Sequence, residues 1–230
     1  MLYIVSTPIG NLKDITFRAV ETLQNVDLIA AEDTRHTKRL LMEYKITTPL
    51  TSYFDHNERQ KGEQISNLLK EGKDVALVTD AGTPGISDPG YRLINLAKSN
   101  GIPIEVVPGA TALIAGLSLS GLPCDAFIFE GFLPVKSTAR RKKLIEFKQE
   151  TRTVIFYESP HRLGKALKDI EEVLGDPVIT VAREITKKFQ EVREGPASQL
   201  LDHFTRHGPK GEFVILFNLR THETPFLDKS

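Results

Sequence analysis

The chain has 230 residues, 40% of them hydrophobic, so it is long enough to bury the core of one large domain or two ordinary ones. Thirty basic and thirty acidic residues cancel, which excludes the uniformly basic surface of a general nucleic-acid coating protein and leaves such binding to local clusters. A lone Cys124 excludes an intramolecular disulfide. The chain has no basic leader, and no apolar run approaches the roughly twenty residues of a membrane span. We therefore expect a cytoplasmic protein without membrane contact.

The first half of the chain alternates strands with helices. Strands are predicted at LYIVS, DLIAA, TSYF, DVALVT and PIEVV. Helices are predicted at TFRAVETLQNV, TRHTKRLLMEY, NERQKGEQISNLLKEG and PGYRLINLAKSNG, and in PGATALIAGLSLSG. This alternation favours a mainly parallel α/β sheet with helices on both faces. Asp88 is predicted to cap the fourth helix, with Pro89 at its first position.

The second half has its own strands and helices. Strands are predicted at LPCDAFIFEGFLP, TRTVIFY, PVITVAR and GEFVILFNL, with FQEVREG as a strand near an edge. Helices are predicted at KSTARRKKLIEFKQE, SPHRLGKALKDIEEVLG and PASQLLDHFTRHG. We therefore predict an N-terminal α/β domain over 1–118, a C-terminal α/β domain over 119–222 and a disordered tail over 223–230.

Four loops follow strands of the first half, where ligands of α/β sheets bind: STPIGNLKD, AEDTRHT, DAGTPGISDPG and VPGATA. Three of them are rich in glycine or other small residues. Gly82 and Gly85 permit positive φ and a close approach to the main chain, although a merely rigid connector is the alternative. Because DAGTPGISDPG contains neither GxxxxGK[ST] nor any lysine, a nucleotide triphosphate is a poor candidate ligand.

The fourth loop carries charge. Its EDTRH segment places Asp33, Arg35 and His36 at a strand end, although Asp33 could instead cap the following helix and His36 could be a surface residue. Two basic clusters, RHTKR at 35–39 and ARRKK at 139–143, could bind nucleic acid, with solvated helix faces as the alternative. No histidine and cysteine spacing of a zinc site is present, and no metal is expected.

Seven segments carry a resemblance that covers nearly the whole chain: MLYIVSTPIGNLKDIT, AAEDTRHTKRLL, TDAGTPGISDPG, VPGATALIAGLSLSGLP, FEGFLP, FYESPHR and VAREITK. Together they resemble the bacterial ribosomal RNA small-subunit methyltransferase I family, a branch of the tetrapyrrole methylase superfamily. The resemblance implies two α/β domains, S-adenosylmethionine in the cleft between them, and a homodimer. It also implies 2′-O-methylation of a cytidine ribose in the decoding region of 16S rRNA, within the small ribosomal subunit.

The resemblance further implies which residues contact the cofactor. Thr83 stands where many relatives carry aspartate, and Gly211 could instead be only a turn before its strand. The implied cofactor residues are Ile9, Thr83, Pro84, Ile86, Thr111, Ala112, Tyr157, Glu158, Ala182 and Gly211.

Methyl transfer to a hydroxyl oxygen also needs a proton acceptor. The candidates are Asp33, His36, Glu184 and Lys188, with Asp80 and Glu158 as further ones. Arg183 could hold an RNA phosphate, and RNA binding falls mainly to Arg35, Lys38, Arg39, Arg140, Arg141, Lys142 and Lys143. Two other functions stay open: methylation of a tetrapyrrole small molecule, and a non-enzymatic ribosome-binding factor that retains the fold.

Overall fold

The computed structural model describes residues 1–220, which form two compact units, one spanning Met1–Thr111 and one beginning at Ala112. Each unit is an α/β structure with its own five-stranded sheet. The predicted tail, 223–230, lies outside the described residues. Among residues 1–220, no helix combines the length and apolar character needed to cross a bilayer.

The first unit is a fully parallel sheet, as the alternation of elements predicts. Its strands are β1 (Leu2–Val5), β2 (Leu28–Ala31), β3 (Leu50–Ser52), β4 (Val75–Val78) and β5 (Ile104–Val107), in the order β3-β2-β4-β1-β5. Its helices are α1 (Phe17–Asn25), α2 (Thr34–Glu43), α3 (Glu58–Lys70) and α4 (Tyr91–Ser99).

Helices cover both faces of this sheet, and each face has its own hydrophobic core. Ala19 and Leu23 of α1 and Leu41 of α2 pack on one face. Leu93 and Ala97 of α4 pack with α3 on the other. A strand covered on both sides has no solvent face, which is why β4 reads as the unbroken apolar run VALV, every residue of it buried.

The second unit has a mixed sheet. Its strands are β6 (Phe127–Phe132), β7 (Thr153–Glu158), β8 (Val178–Arg183), β9 (Glu191–Pro196) and β10 (Phe213–Phe217), in the order β6-β7-β10-β8-β9. Only β6 and β7 pair in parallel, and β9 is an edge strand, as its alternating sequence predicts. The helices are α5 (Ala112–Ser120), α6 (Ser137–Glu146), α7 (Pro160–Leu174) and α8 (Ala197–His207).

Helix α5 belongs to the second unit, so the predicted boundary at 118 falls inside an element of that unit. The helix lies so close to β10 that a Cβ added at Gly116 would come within 3.0 Å of Val214 Cγ1. Sequence periodicity marks α5 as a helix but carries no information about which sheet it packs against.

The prediction that Asp88 caps α4 is wrong. The helix begins at Tyr91, and its N-cap is Gly90, which has a φ of +153°. Pro89 and Gly90 are buried because the loop after β4 folds back on itself, and a Cβ at Gly90 would lie 3.0 Å from the Gly85 amide nitrogen. Asp88 and Pro89 are therefore part of this loop and precede the helix.

Candidate cofactor and substrate site

Strands β1 and β4 are neighbours whose following helices lie on opposite faces of the first sheet. The chain leaves β1 toward α1 on one face and leaves β4 toward α4 on the other. The two loops lead to opposite faces from the edge where the parallel strands end, called the carboxyl edge below. Open α/β sheets bind their ligands at such a switch point.

Hydroxyl groups join three loops at this carboxyl edge. Ser6 Oγ, after β1, hydrogen-bonds to Thr83 Oγ1, after β4, at 2.9 Å. Thr83 Oγ1 also hydrogen-bonds to Thr111 Oγ1, after β5, at 3.0 Å. The Thr7 and Gly82 amides each donate to the other residue's carbonyl, at 2.9 and 3.1 Å. The three small-residue loops are thus held as one preformed surface.

The cofactor residues predicted in the first unit all belong to these three joined loops. Ile9 is buried, and its Cγ2 would lie 3.5 Å from a Cβ placed on Gly82. Pro84 is buried and Ile86 is exposed. Gly82 has a φ of +87° and Gly85 a φ of +85°, the conformation for which the sequence analysis assigns glycine. That these residues contact the cofactor stays a prediction.

Acidic side chains tie the ends of β2 and β4 together. The Asp33 amide donates to Asp80 Oδ1 at 3.0 Å, and the Asp80 amide donates to Glu32 Oε2 at 3.3 Å. Glu32 is not among the predicted site residues, although its place directly after a buried strand is a signal. Burial raises the pKa of Glu32.

Asp33 caps α2, which is the alternative that the sequence left open. Its Oδ1 accepts from the Arg35 amide at 2.8 Å, and its Oδ2 pairs with Arg35 Nη2 at 2.8 Å. The Arg35 guanidinium holds the pKa of Asp33 well below its usual range. A carboxylate so stabilised is a weak proton acceptor.

His36 borders a small hollow at the switch point. The hollow measures about 20 Å³, room for about one water molecule. Within residues 1–220, the hydroxyl oxygens of two of its buried residues have no hydrogen-bond partner. Its lining residues are Thr7, Pro8, Leu12, His36, Thr37, Leu40, Thr79 and Asp80, with Thr37 and Thr79 carrying the unpaired hydroxyls.

The basic side chains of α2 are exposed. Lys38 and Arg39 have no ion pair in the part of the chain that the structure describes, whereas Arg35 is paired with Asp33 although its side chain is 89% exposed. Lys38 and Arg39 are therefore available to an anionic partner.

Arg140 does not lie on an exposed basic surface, so its predicted RNA contact is wrong. The side chain is 2% exposed, and its Nε donates to Asp169 Oδ2 at 2.7 Å. Its Nη1 donates to the carbonyls of Pro134 and Val135. All these partners belong to the same chain, and the buried guanidinium cannot reach a phosphate without exchanging them.

The rest of the second basic cluster is largely neutralised. Arg141 pairs with two carboxylates and Lys143 with two others. Lys142 is exposed and has no ion pair among residues 1–220. Within the part of the chain that the structure describes, Lys142 alone of ARRKK presents an uncompensated charge.

The predicted cofactor residues of the second unit lie at or near the ends of β7 and β8. The Leu113 amide, in the first turn of α5, donates to the Tyr157 hydroxyl at 3.0 Å, next to the predicted anion donor Ala112. Glu158 is buried, with its pKa raised by burial, and Ala182 is fully buried within the sheet. Contacts from these residues to a cofactor stay predictions.

Glu184 and Gly211 fit each other. Gly211 has a φ of +89°, and a Cβ added there would overlap the Glu184 carboxyl group. Glu184 Oε1 accepts from Lys187 Nζ at 2.9 Å and from the Glu212 amide at 3.1 Å. Burial of Glu184 opposes ionisation, but these hydrogen bonds outweigh it and lower the pKa.

Two further predicted residues lie near Glu184 in the sequence. Lys188 is exposed, and Arg183 pairs with Glu191.

Among residues 1–220, no group of three or more histidine, cysteine, aspartate or glutamate side chains is arranged to hold a metal ion.

Comparison with known proteins gives consistent results. The model of the tetrapyrrole (corrin/porphyrin) methylases matches residues 1–201. A protein of Synechocystis is 50% identical over 97% of this chain and 80% of its own length, and one of Thermotoga maritima is 48% identical over 94% and 97%. A third, from Escherichia coli O157:H7, is 50% identical over 94% of this chain and 76% of its own. All three are named ribosomal RNA small subunit methyltransferase I.

Solved structures share the fold at low sequence identity. A diphthine synthase superposes with a TM-score of 0.76 at 14% identity, covering 96% of this chain and 90% of its own. A cobalt precorrin-4 methyltransferase superposes with a TM-score of 0.68 at 21% identity, covering 94% and 93%. Such likenesses establish the architecture alone.

Proposed function

Since the chain belongs to the tetrapyrrole (corrin/porphyrin) methylase family, and within it to the ribosomal RNA small subunit methyltransferase I group, we propose that it methylates small-subunit ribosomal RNA with S-adenosylmethionine. The acceptor is the ribose 2′-hydroxyl of a cytidine in the decoding region of 16S rRNA. The observation that carries this proposal is the 48–50% identity to relatives of that name over 94–97% of the chain.

The residues of the first unit that would hold the cofactor lie on the carboxyl edge of the first sheet. S-adenosylmethionine is a sulfonium with one carboxylate, so it needs close main-chain contact and a few hydroxyls more than a row of cations. The loops joined by Ser6, Thr83 and Thr111 supply small residues and hydroxyls, and DAGTPGISDPG contains no lysine. Thr83 bonds two neighbouring hydroxyls, which fixes its orientation before the cofactor arrives.

The reaction moves a methyl group from sulfur to oxygen. The bound donor would supply an electrophilic methyl group to the ribose 2′-oxygen and would leave as a neutral thioether, while a base of the protein takes the hydroxyl proton. Because positive charge is dispersed in this step, alignment of the reacting atoms is the main contribution of the protein.

His36 is the proposed proton acceptor. Asp33 and Glu184 are held as stabilised carboxylates by Arg35 and Lys187, which makes them weak bases. His36 has no ion pair within residues 1–220 and lies at the switch-point hollow beside Asp80. Replacing His36 with glutamine should lower kcat and leave the affinity for the methyl donor unchanged.

Lys38 and Arg39 bring the RNA to this edge, with a further contact from Lys142. Each exposed cation that neutralises a phosphate adds to the salt dependence of binding. These contacts give affinity and register, whereas selection of one cytidine falls to the shape of the folded RNA in the small subunit.

The chain acts as a homodimer in the cytoplasm, where ribosomal subunits are assembled. Support for an interface comes from exposed apolar side chains on and after the edge strand β6 and on α6. Phe132 is 50% exposed, Val135 73% and Ile145 55%. Sedimentation equilibrium should give twice the chain mass, and Phe132→Asp should shift it toward the monomer.

Methyl transfer from radiolabelled S-adenosylmethionine tests the proposal. Small subunits from a strain lacking this gene, small subunits from its parent and a porphyrinogen are incubated separately with the protein. Label should enter only the RNA of subunits from the deletion strain, since parental subunits already carry the methyl group. Label in the porphyrinogen alone would establish a tetrapyrrole methylase instead. If calorimetry detects no donor binding, the non-enzymatic alternative is favoured.

A further inference from the structure

The loop between β8 and β9, residues 184–190, is held in one defined shape. The Thr186 amide donates to Gln190 Oε1 at 2.7 Å, and the Gln190 amide donates to the Lys187 carbonyl at 3.1 Å. Glu184 and Thr186 have φ values of +50° and +66°. A left-handed conformation is unusual for a β-branched residue such as threonine, so the surrounding contacts impose it.

Two adjacent lysines of this loop are used differently. Lys187 is turned inward and pairs with Glu184 and Glu212, each at 2.9 Å. Lys188 is exposed and has no ion pair in the described part of the chain. Its Nζ lies 5.6 Å from the ring centroid of Phe189. Among residues 1–220 the folded unit therefore neutralises Lys187 and leaves Lys188 without an ion pair, its ammonium over an aromatic ring.

Phe189 contributes little to the core of its unit. Its side chain is 66% exposed and is absent from the buried cluster that includes Phe156, Phe204 and Phe213. An ordered loop that presents an exposed ring together with an unpaired cation has the chemistry of a single-strand RNA contact. The ring offers a face for base stacking, and the ammonium group can bind the adjoining phosphate.

The position of the loop agrees with this chemistry. Strands β7 and β8 both run antiparallel to β10, and Phe213 is in register with both Glu158 and Arg183. The ends of β7 and β8 therefore lie at one edge of the second sheet, and the loop with Phe189 continues directly from β8. The free ring and cation extend the same edge that carries the predicted residues Tyr157 and Glu158.

We propose that Phe189 and Lys188 form a stacking platform for an unpaired nucleobase of the substrate RNA, with Lys188 on its phosphate. This proposal rests on the proposed function, because it takes ribosomal RNA as the partner. In this proposal both side chains contact the RNA.

The test compares Phe189→Ala, Phe189→Leu, Phe189→Trp and Lys188→Ala. Lys98→Ala is the matched control, an exposed lysine near the end of α4, at the opposite edge of the first sheet from the carboxyl edge. Co-sedimentation measures binding to small subunits, label transfer gives KM and kcat, and calorimetry measures affinity for S-adenosylmethionine.

Phe189→Ala should weaken subunit binding and raise KM about tenfold, since loss of one base stack has this order of effect. Phe189→Leu should lose most of the same affinity, because leucine keeps apolar area but has no ring face, whereas tryptophan should retain it. Lys188→Ala should lower the slope of log K against log salt by about one. Donor affinity and kcat should not change in the Phe189 variants, and Lys98→Ala should leave every measured quantity at its wild-type value.

Unchanged subunit binding in Phe189→Ala would overturn the platform. So would a fall in the mass measured by sedimentation, since Phe189 would then contact a second copy of the chain. If the wild-type protein binds subunits but transfers no label, the proposed function fails. The weaker binding of Phe189→Ala would still identify the platform in that case.

Discussion

Replacing Arg140 with alanine should destabilise the second unit without a direct effect on RNA affinity. Arg140 is 2% exposed, and its partner Asp169 is 5% exposed. Arg140 Nη2 lies 2.6 Å from Asp169 Oδ2, and Nε donates to the same oxygen at 2.7 Å. Truncation would leave a buried carboxylate whose remaining partners are the Ser137 hydroxyl and the partly exposed Arg141.

Removing one member of a buried ion pair costs about 3 to 5 kcal/mol, because the other charge stays buried without compensation. Arg141 still reaches Asp169 Oδ1 at 3.2 Å, so we expect the low end, about 3 kcal/mol. Joint replacement, Arg140→Met with Asp169→Leu, should cost less than Arg140→Ala because both charges leave together. Lys142→Ala on the exposed face of α6 should change stability by no more than about 0.5 kcal/mol.

Urea unfolding followed by far-UV circular dichroism measures these differences, and salt titration of subunit binding measures the RNA contribution. Arg140→Ala should lower the midpoint and keep the salt slope, whereas Lys142→Ala should keep the midpoint and lower the slope. An Arg140→Ala protein with wild-type stability and a reduced salt slope would refute the structural role.

Three further variants test the loops. Gly211→Ala should lower the free energy of unfolding by about 2 to 4 kcal/mol, because alanine is strained in the left-handed conformation and its Cβ displaces the Glu184 carboxyl group. Thermal unfolding measures this loss, and a wild-type midpoint would show that this packing is wrong. Thr83→Val should lower the affinity for S-adenosylmethionine measured by calorimetry, and should lower the free energy of unfolding by about 1 to 2 kcal/mol because two hydrogen bonds are lost. Thr83→Ser should retain both hydrogen bonds and the affinity. Equal affinity in the two variants would contradict the site. Glu32 has its pKa raised on folding, so its contribution to stability is present in acid and is lost as pH rises through the folded pKa. Glu32→Gln should therefore match the wild type near pH 4 and be more stable at pH 7; a greater advantage in acid would reverse the sign of the shift.

Local patterns in the sequence predict the elements and the loop chemistry well. Apolar runs and helical periodicity give both α/β units, and the glycines at 82 and 85 have the positive φ that their residue type permits. These features depend on neighbours in the chain. The hydrogen bonds that join Ser6, Thr83 and Thr111 do not depend on neighbours in the chain. Ser6 and Thr83 are 77 residues apart and Thr83 and Thr111 are 28 apart, so these bonds form only when the strands before them pair in the sheet.

Arg140 shows why charge patterns mislead. Within ARRKK all four basic residues look alike, and the partner that buries one of them is 29 residues away on α7. A signal does exist, because Arg140 lies four residues before the buried Leu144 and so shares its helix face. Asp169 likewise lies on the apolar face of α7, three residues after buried Ala166 and four before buried Val173. A charge on each of two apolar faces predicts a buried pair.

The most direct measurement is the identity of the methylated nucleoside. Small subunits from the deletion strain are incubated with the protein and S-adenosylmethionine carrying a deuterated methyl group, and their 16S rRNA is digested and analysed by mass spectrometry. The expected product is one 2′-O-methylcytidine with the full deuterium mass shift, in an oligonucleotide of the decoding region. Deuterium on a base, on another nucleoside, or nowhere in the RNA would contradict the account.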